Sequence, residues 1–141
     1  MVKMVISYGL ERGAKIGAFS LAPDIAIAVD VSFAYAEGEA EKKCGYLGKG
    51  SMIGISPCLS REISNGLINA AKSVNLPYQL EVMNGLTSTN ADRYSSSREG
   101  AKACTLSIPL RNMHTPVEVI DVDDVVNTAE ILAEFIGRAA E

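Results

Sequence analysis

Ile25-Ala26-Ile27-Ala28-Val29-Asp30-Val31-Ser32-Phe33 is a nearly unbroken apolar run built from β-branched and small side chains. Its length and its β-branching mark a central strand buried on both faces. On its N-terminal side, Val2 to Ser7 is a second short β-branched run and predicts another strand. Between the two, Ala14, Ile16, Ala18, Phe19 and Leu21 predict a short helix over residues 13–21, ended by Pro23. On the C-terminal side, residues 34–50 hold Glu37-Gly38-Glu39, Lys42-Lys43 and Gly48-Lys49-Gly50 and read as a polar loop. Strand character returns at residues 51–56. Ser60 then stands as N-cap of a helix with Ile63, Leu67, Ala70, Ala71 and Val74 on one face, stopped near Leu76-Pro77. The pattern continues with a strand over 78–83, a helix over 89–99 and a strand over 103–108. A last helix, capped by Asp121, carries an apolar stripe of Val122, Val125, Val126, Ala129, Leu132, Ala133 and Ile136. Strands alternating with helices imply an α/β fold: a three-layer arrangement of a mixed or mostly parallel sheet with flanking helices.

The 141 residues fit one domain over 1–141, and a 48% hydrophobic content supplies a core. A formal net charge of -4, with basic residues scattered singly or in pairs, argues against nucleic acid as a partner. No apolar run reaches the ~18 residues of a membrane span, so no membrane partner is expected. Cys44, Cys58 and Cys104 are widely and irregularly spaced, which excludes a zinc ladder and suits a reducing, cytoplasmic setting.

Asp30 is the one charge in its strand, and an unpaired buried carboxylate costs several kcal/mol. It therefore needs a cation, hydrogen bonds or water, and it shares a face with Ala26 and Ala28, whose small side chains leave room. Placed at the carboxyl end of the sheet, it stands where α/β folds bind ligands. The competing reading is a strand-end aspartate bonded to loop amides. His114, the single histidine, lies in a loop before Thr115-Pro116, flanked by Arg111 and Glu118. Those two could pair with each other or orient the imidazole, and no second ligand sits at metal-binding spacing beside it. Gly48-Lys49-Gly50-Ser51 lacks the first glycine of a phosphate loop and reads as a turn into a strand. Asp121, Asp123 and Asp124 read as helix-start acids, not as a calcium site. Thr87-Ser88-Thr89-Asn90-Ala91-Asp92-Arg93 reads as a helix cap.

Four segments taken in order resemble one family: residues 26–34 around Asp30, Leu47-Gly48-Lys49-Gly50, Leu76-Pro77-Tyr78-Gln79-Leu80-Glu81, and residues 107–118 around His114. They are similar to the C-terminal part of the catalytic domain of the di-metal glutamyl, deblocking or tetrahedral (TET) aminopeptidases, a family often labelled cellulase or endoglucanase. The resemblance implies a zinc-peptidase-like fold, incomplete relative to the family. It implies two divalent ions, zinc or cobalt, with Asp30 a ligand of one and His114 of the other. Arg111 and Glu118 match the residues flanking that histidine, on the second shell or the substrate side, while Asn112 replaces a tyrosine.

The departures matter as much. Family members are more than twice as long, and their other metal ligands match nothing here. Their paired catalytic glutamates fall at Ser7 and Tyr8, and an aspartate of their GTDA motif falls at Asn90. No catalytic residue is therefore assigned. Each ion would keep one ligand where about three are needed, so the chain alone is expected to hold metal weakly and to be inert, or nearly so. The expected function is a truncated portion of a peptide-hydrolysing aminopeptidase with a peptide as substrate. The alternative is a non-catalytic α/β interaction module derived from it, and exposed sheet edges predict self-association in either case. A glycosidase is disfavoured, because no carboxylate pair can be placed at the required spacing.

Overall fold

The computed structural model describes residues 3–7, 11–38 and 44–139. Five strands run in the order β1-β2-β5-β3-β4, with a short β6 added on β5. They are β1 (Met4–Ser7), β2 (Ile25–Phe33), β3 (Ser51–Ile55), β4 (Tyr78–Val82), β5 (Lys102–Arg111) and β6 (Val119–Ile120). The helices are α1 (Glu11–Leu21), α2 (Arg61–Ser73), α3 (Ala91–Ser95) and α4 (Val122–Ala139). The sheet is mixed: β1, β2 and β5 are parallel, β4 is parallel to β3, and β3 runs antiparallel to β5. Helix α2 packs with α4 and α1 with α3, so the sheet is flanked by helices and the fold is the expected layered α/β.

The apolar run becomes β2, held between β1 and β5, with Ala26, Ile27 and Ala28 at its buried centre. The partner β5 is longer than its apolar pattern suggests because it continues through Pro109. Its other side is held by β3 at Leu106–Ser107 and by β6 at Leu110–Arg111. Pro109, which has no N–H to give, falls in the interval between those two partners.

Three local expectations change. Ser60 occupies the N-cap position of α2, but its hydroxyl caps nothing. The helix expected over 89–99 contracts to Ala91–Ser95. Left-handed backbone at Arg98 (φ 52) and Gly100 (φ 86) turns the chain away from helix just beyond it. Most of the apolar stripe read on α4 faces outward: Val122, Val126, Ala129, Ala133 and Ile136 are exposed, Val125 is half-buried, Leu132 packs against the core, and the buried residues are Asp124, Thr128, Ile131 and Phe135. The cause is polar. Asp124 accepts the backbone N–H groups of Gly48 (2.8 Å) and Gly50 (2.7 Å), and Thr128 pairs with Ser51 (2.6 Å). Satisfying that carboxylate and hydroxyl inside the fold outweighs burying the valines. The glycine loop and the helix-start acid, both read as local features, are thus two halves of one contact. Asp121 does cap α4, accepting the N–H of Asp123 at 2.9 Å.

Candidate functional site

In a sheet, residues two apart on a strand share a face with each other and with their partners in register. Asp30 is opposite Ser107, Ser107 is opposite Met52, and Gly54 is opposite Glu81. Asp30, Ser32, Ser107, Thr105 and Glu81 consequently share one face across four strands. Gly54 is what lets the face close over β3, since a Cβ there would collide with the Thr105 hydroxyl.

Glu81 reaches over that glycine and accepts hydrogen bonds from the Ser32 hydroxyl at Oε1 and the Ser107 hydroxyl at Oε2, the latter at 2.9 Å. Burial pushes its carboxyl above the usual value near 4.5, the two serine bonds oppose the rise, and the charge of Asp30 adds to it. Asp30 is half-buried, and its Oδ1 accepts the N–H of Val31 at 2.9 Å, an amide of its own strand. The fully buried hydroxyl of Thr105 finds no hydrogen-bond partner among the described residues. The site is therefore a pair of carboxylates: Asp30, which lies within β2 three residues before its end and not at the strand's carboxyl end as expected, and Glu81, held under two serines with a strengthened hold on its proton.

His114 lies apart from this cluster. Four residues separate Ser107 from the end of β5, so the strand runs about 13 Å past the level of Asp30 before the His114 loop begins. The loop is tightly bonded to itself. The His114 N–H donates to Glu118 Oε1 (2.6 Å), the Thr115 hydroxyl donates to the Asn112 carbonyl (2.7 Å), and Asn112 and His114 both have positive φ. Arg111 Nε donates to the carbonyl of Tyr35 at 2.8 Å. Glu118 thus touches the backbone of residue 114, and Arg111 ties the loop's base to the residues after β2. Ser7 ends β1 beside Ala28, and Tyr8 lies outside the described residues. Asn90 is buried just before α3, where the carboxylate of Asp92 gathers the N–H groups of Thr87 and Ser88.

A two-metal centre needs about three protein donors for each ion. Among the described residues no three His, Cys, Asp or Glu side chains come together. The donor set does not fit a complete centre, and Asp30 is the one candidate ligand that lies within the polar face. Glu81, Ser32 and Ser107 were not singled out from the sequence. Glu81 sits in an alternating strand pattern, and its partners are 49 and 26 residues away. No local sequence signal marks it, because Gly54 comes to lie opposite only through the register of β3 and β4.

The pattern of M42 glutamyl aminopeptidases matches residues 9–131. The lysyl aminopeptidase of Pyrococcus furiosus is 35% identical over 120 residues, covering 85% of this chain and 35% of that protein. Among solved structures, an aminopeptidase from the archaeon Desulfurococcus kamchatkensis superposes with a TM-score of 0.80 at 34% identity, covering 89% of this chain and 37% of that one. A TET aminopeptidase from a marine-sediment Thaumarchaeota archaeon gives a TM-score of 0.82 at 27% identity, covering 89% and 36%. The chain spans a little over one third of the length of these proteins.

Proposed function

Because the chain belongs to the M42 glutamyl aminopeptidase family, we propose that it serves in the removal of N-terminal residues from peptides by a metal-dependent aminopeptidase. The observation that carries the reading is the polar face of β2, β5 and β4, where Asp30 is half-buried beside Glu81. Asp30 is the residue this chain would bring to one divalent ion, zinc or cobalt, and His114 the one it would bring to the other. Arg111 and Glu118 set the shape of the His114 loop through the bonds they make to backbone. Glu81 fixes Ser32 and Ser107 and so holds β4 to the two strands that frame Asp30. No residue of this chain is assigned as catalytic base. One donor for each ion binds metal weakly, so turnover requires donors beyond these two.

We further propose, as a second reading favoured by the apolar side chains left in solvent, that the chain associates with itself. Strand β4 closes the sheet on one side with Leu80 and Val82 exposed, Val82 at 73%.

The test is hydrolysis of an aminoacyl-anilide by the purified chain, with and without added zinc or cobalt. The expected result is no turnover above the metal-only control. Turnover that needs metal and disappears in Asp30→Asn and His114→Ala would show a complete site within this chain and overturn the requirement for further donors.

A further inference from the structure

Helix α1 packs by its small side chains, Ala14 and Ala18, and leaves Ile16 (68% exposed) and Phe19 (59% exposed) in solvent. That inverts the usual economy of an amphipathic helix, whose large apolar residues face inward. These two side chains floor a groove of about 390 Å³ between α1 and the end of α3. Its walls carry Lys15, Arg93 and Arg98 together with two serines, and no acidic residue is among the described side chains that line it. In a chain of net charge -4, Lys15 and Arg98 set two positive charges beside one concavity, which favours an anion there.

Arg98 is the centre of the arrangement. Its guanidinium lies over the Phe19 ring, 4.3 Å from the centroid, and it has no carboxylate partner among the described residues. Stacking uses the flat face of a guanidinium and leaves its N–H edge available for an oxyanion. Lys15 likewise has no carboxylate partner among the side chains that are described. Arg98 holds this place in a left-handed conformation (φ 52) that a non-glycine residue adopts at a cost. On the far side of the Phe19–Arg98 wall lies a larger cavity that carries Glu62, paired with Lys102 at 2.7 Å, together with Asp24 and Glu99. A negative charge is thus drawn to the Lys15 side of the wall and repelled from the other.

We propose that this groove is a binding site for an organic anion with an apolar body: the anionic head on Arg98 and Lys15, the body on Ile16 and Phe19. Its size falls within the range of small-molecule sites. The site is separate from the Asp30 face and does not depend on the peptidase reading. Carboxylates and phosphate esters share the required chemistry, because both match the guanidinium fork.

The experiment is titration of the whole chain with benzoate, phenyl phosphate and neutral benzyl alcohol, followed by calorimetry and by amide chemical shifts. Saturable binding of either anion, with shifts confined to residues near 15–19 and 93–98, is expected, and the tighter of the two identifies the head group. Benzyl alcohol is expected to bind at least tenfold more weakly. Arg98→Ala should weaken anion binding at least tenfold, and Lys15→Gln, on an exposed helix surface, severalfold. The Lys15 variant keeps the test decisive if Arg98→Ala fails to fold. Absence of saturable binding, equal binding of the alcohol, or affinity unchanged in both variants would overturn the proposal.

Discussion

Glu81 joins two serine hydroxyls on separate strands and lies beside a second carboxylate, Asp30. Its carboxyl is raised above 4.5, chiefly by burial. Below that value the acid is protonated in both folded and unfolded chains and costs nothing. As pH rises, the unfolded chain ionises first while the folded protein keeps its proton, so the contribution of Glu81 to stability falls and then levels off. Glu81→Gln removes this dependence and keeps an oxygen for one serine. The stability of Glu81→Gln relative to the native chain, from urea unfolding, should therefore grow between pH 4 and pH 7. A pH-independent difference would contradict the assigned environment. Glu81→Ala, which strands the buried Ser107 hydroxyl, should cost about 1–3 kcal/mol. Asp30 was legible in the sequence because a charge interrupted an apolar run. Glu81 was not, because its significance lies in partners on β2 and β5 that only the register brings near.

Among the elements, α4 shows what periodicity can and cannot disclose. The helix and its cap at Asp121 were readable from the 3.6-residue repeat and the acid before it. The direction it faces was not, since the buried side is led by Asp124 and Thr128, polar residues that look solvent-facing until the Gly48–Gly50 amides are in place. Replacing Asp124 by Ala leaves those amides without their acceptor and should destabilise the fold by about 3 kcal/mol, with faster hydrogen exchange at Gly48 and Gly50. Gly50 answers from the other side. Its φ is 84° and a Cβ would collide with the Pro77 carbonyl, so Gly50→Ala should cost on the order of 3 kcal/mol. If both variants unfold like the native chain, the loop–helix contact contributes little and the orientation of α4 needs another cause.

For the molecule as a whole, the alternation of apolar runs was enough to foresee a layered α/β fold, and the resemblance at residues 26–34, 47–50, 76–81 and 107–118 was enough to foresee the family. The strand order was not foreseeable, nor was the antiparallel step between β3 and β5, because both depend on long-range pairing. That pairing leaves β4 at one side of the sheet with Leu80 and Val82 in solvent. Light scattering over a concentration series should show mass rising above the monomer, and Val82→Lys should lower it. A monomer at every concentration would remove the self-association reading.

The proposal that Asp30 and His114 are isolated donors predicts weak metal binding by this chain. Equilibrium dialysis against cobalt, with the metal per chain counted by elemental mass spectrometry, addresses it most directly. Cobalt is expected to be lost to metal-free buffer, and Asp30→Asn to lower what little binds before dialysis. Two ions per chain retained through dialysis, and released on mutation of Asp30 or His114, would contradict it.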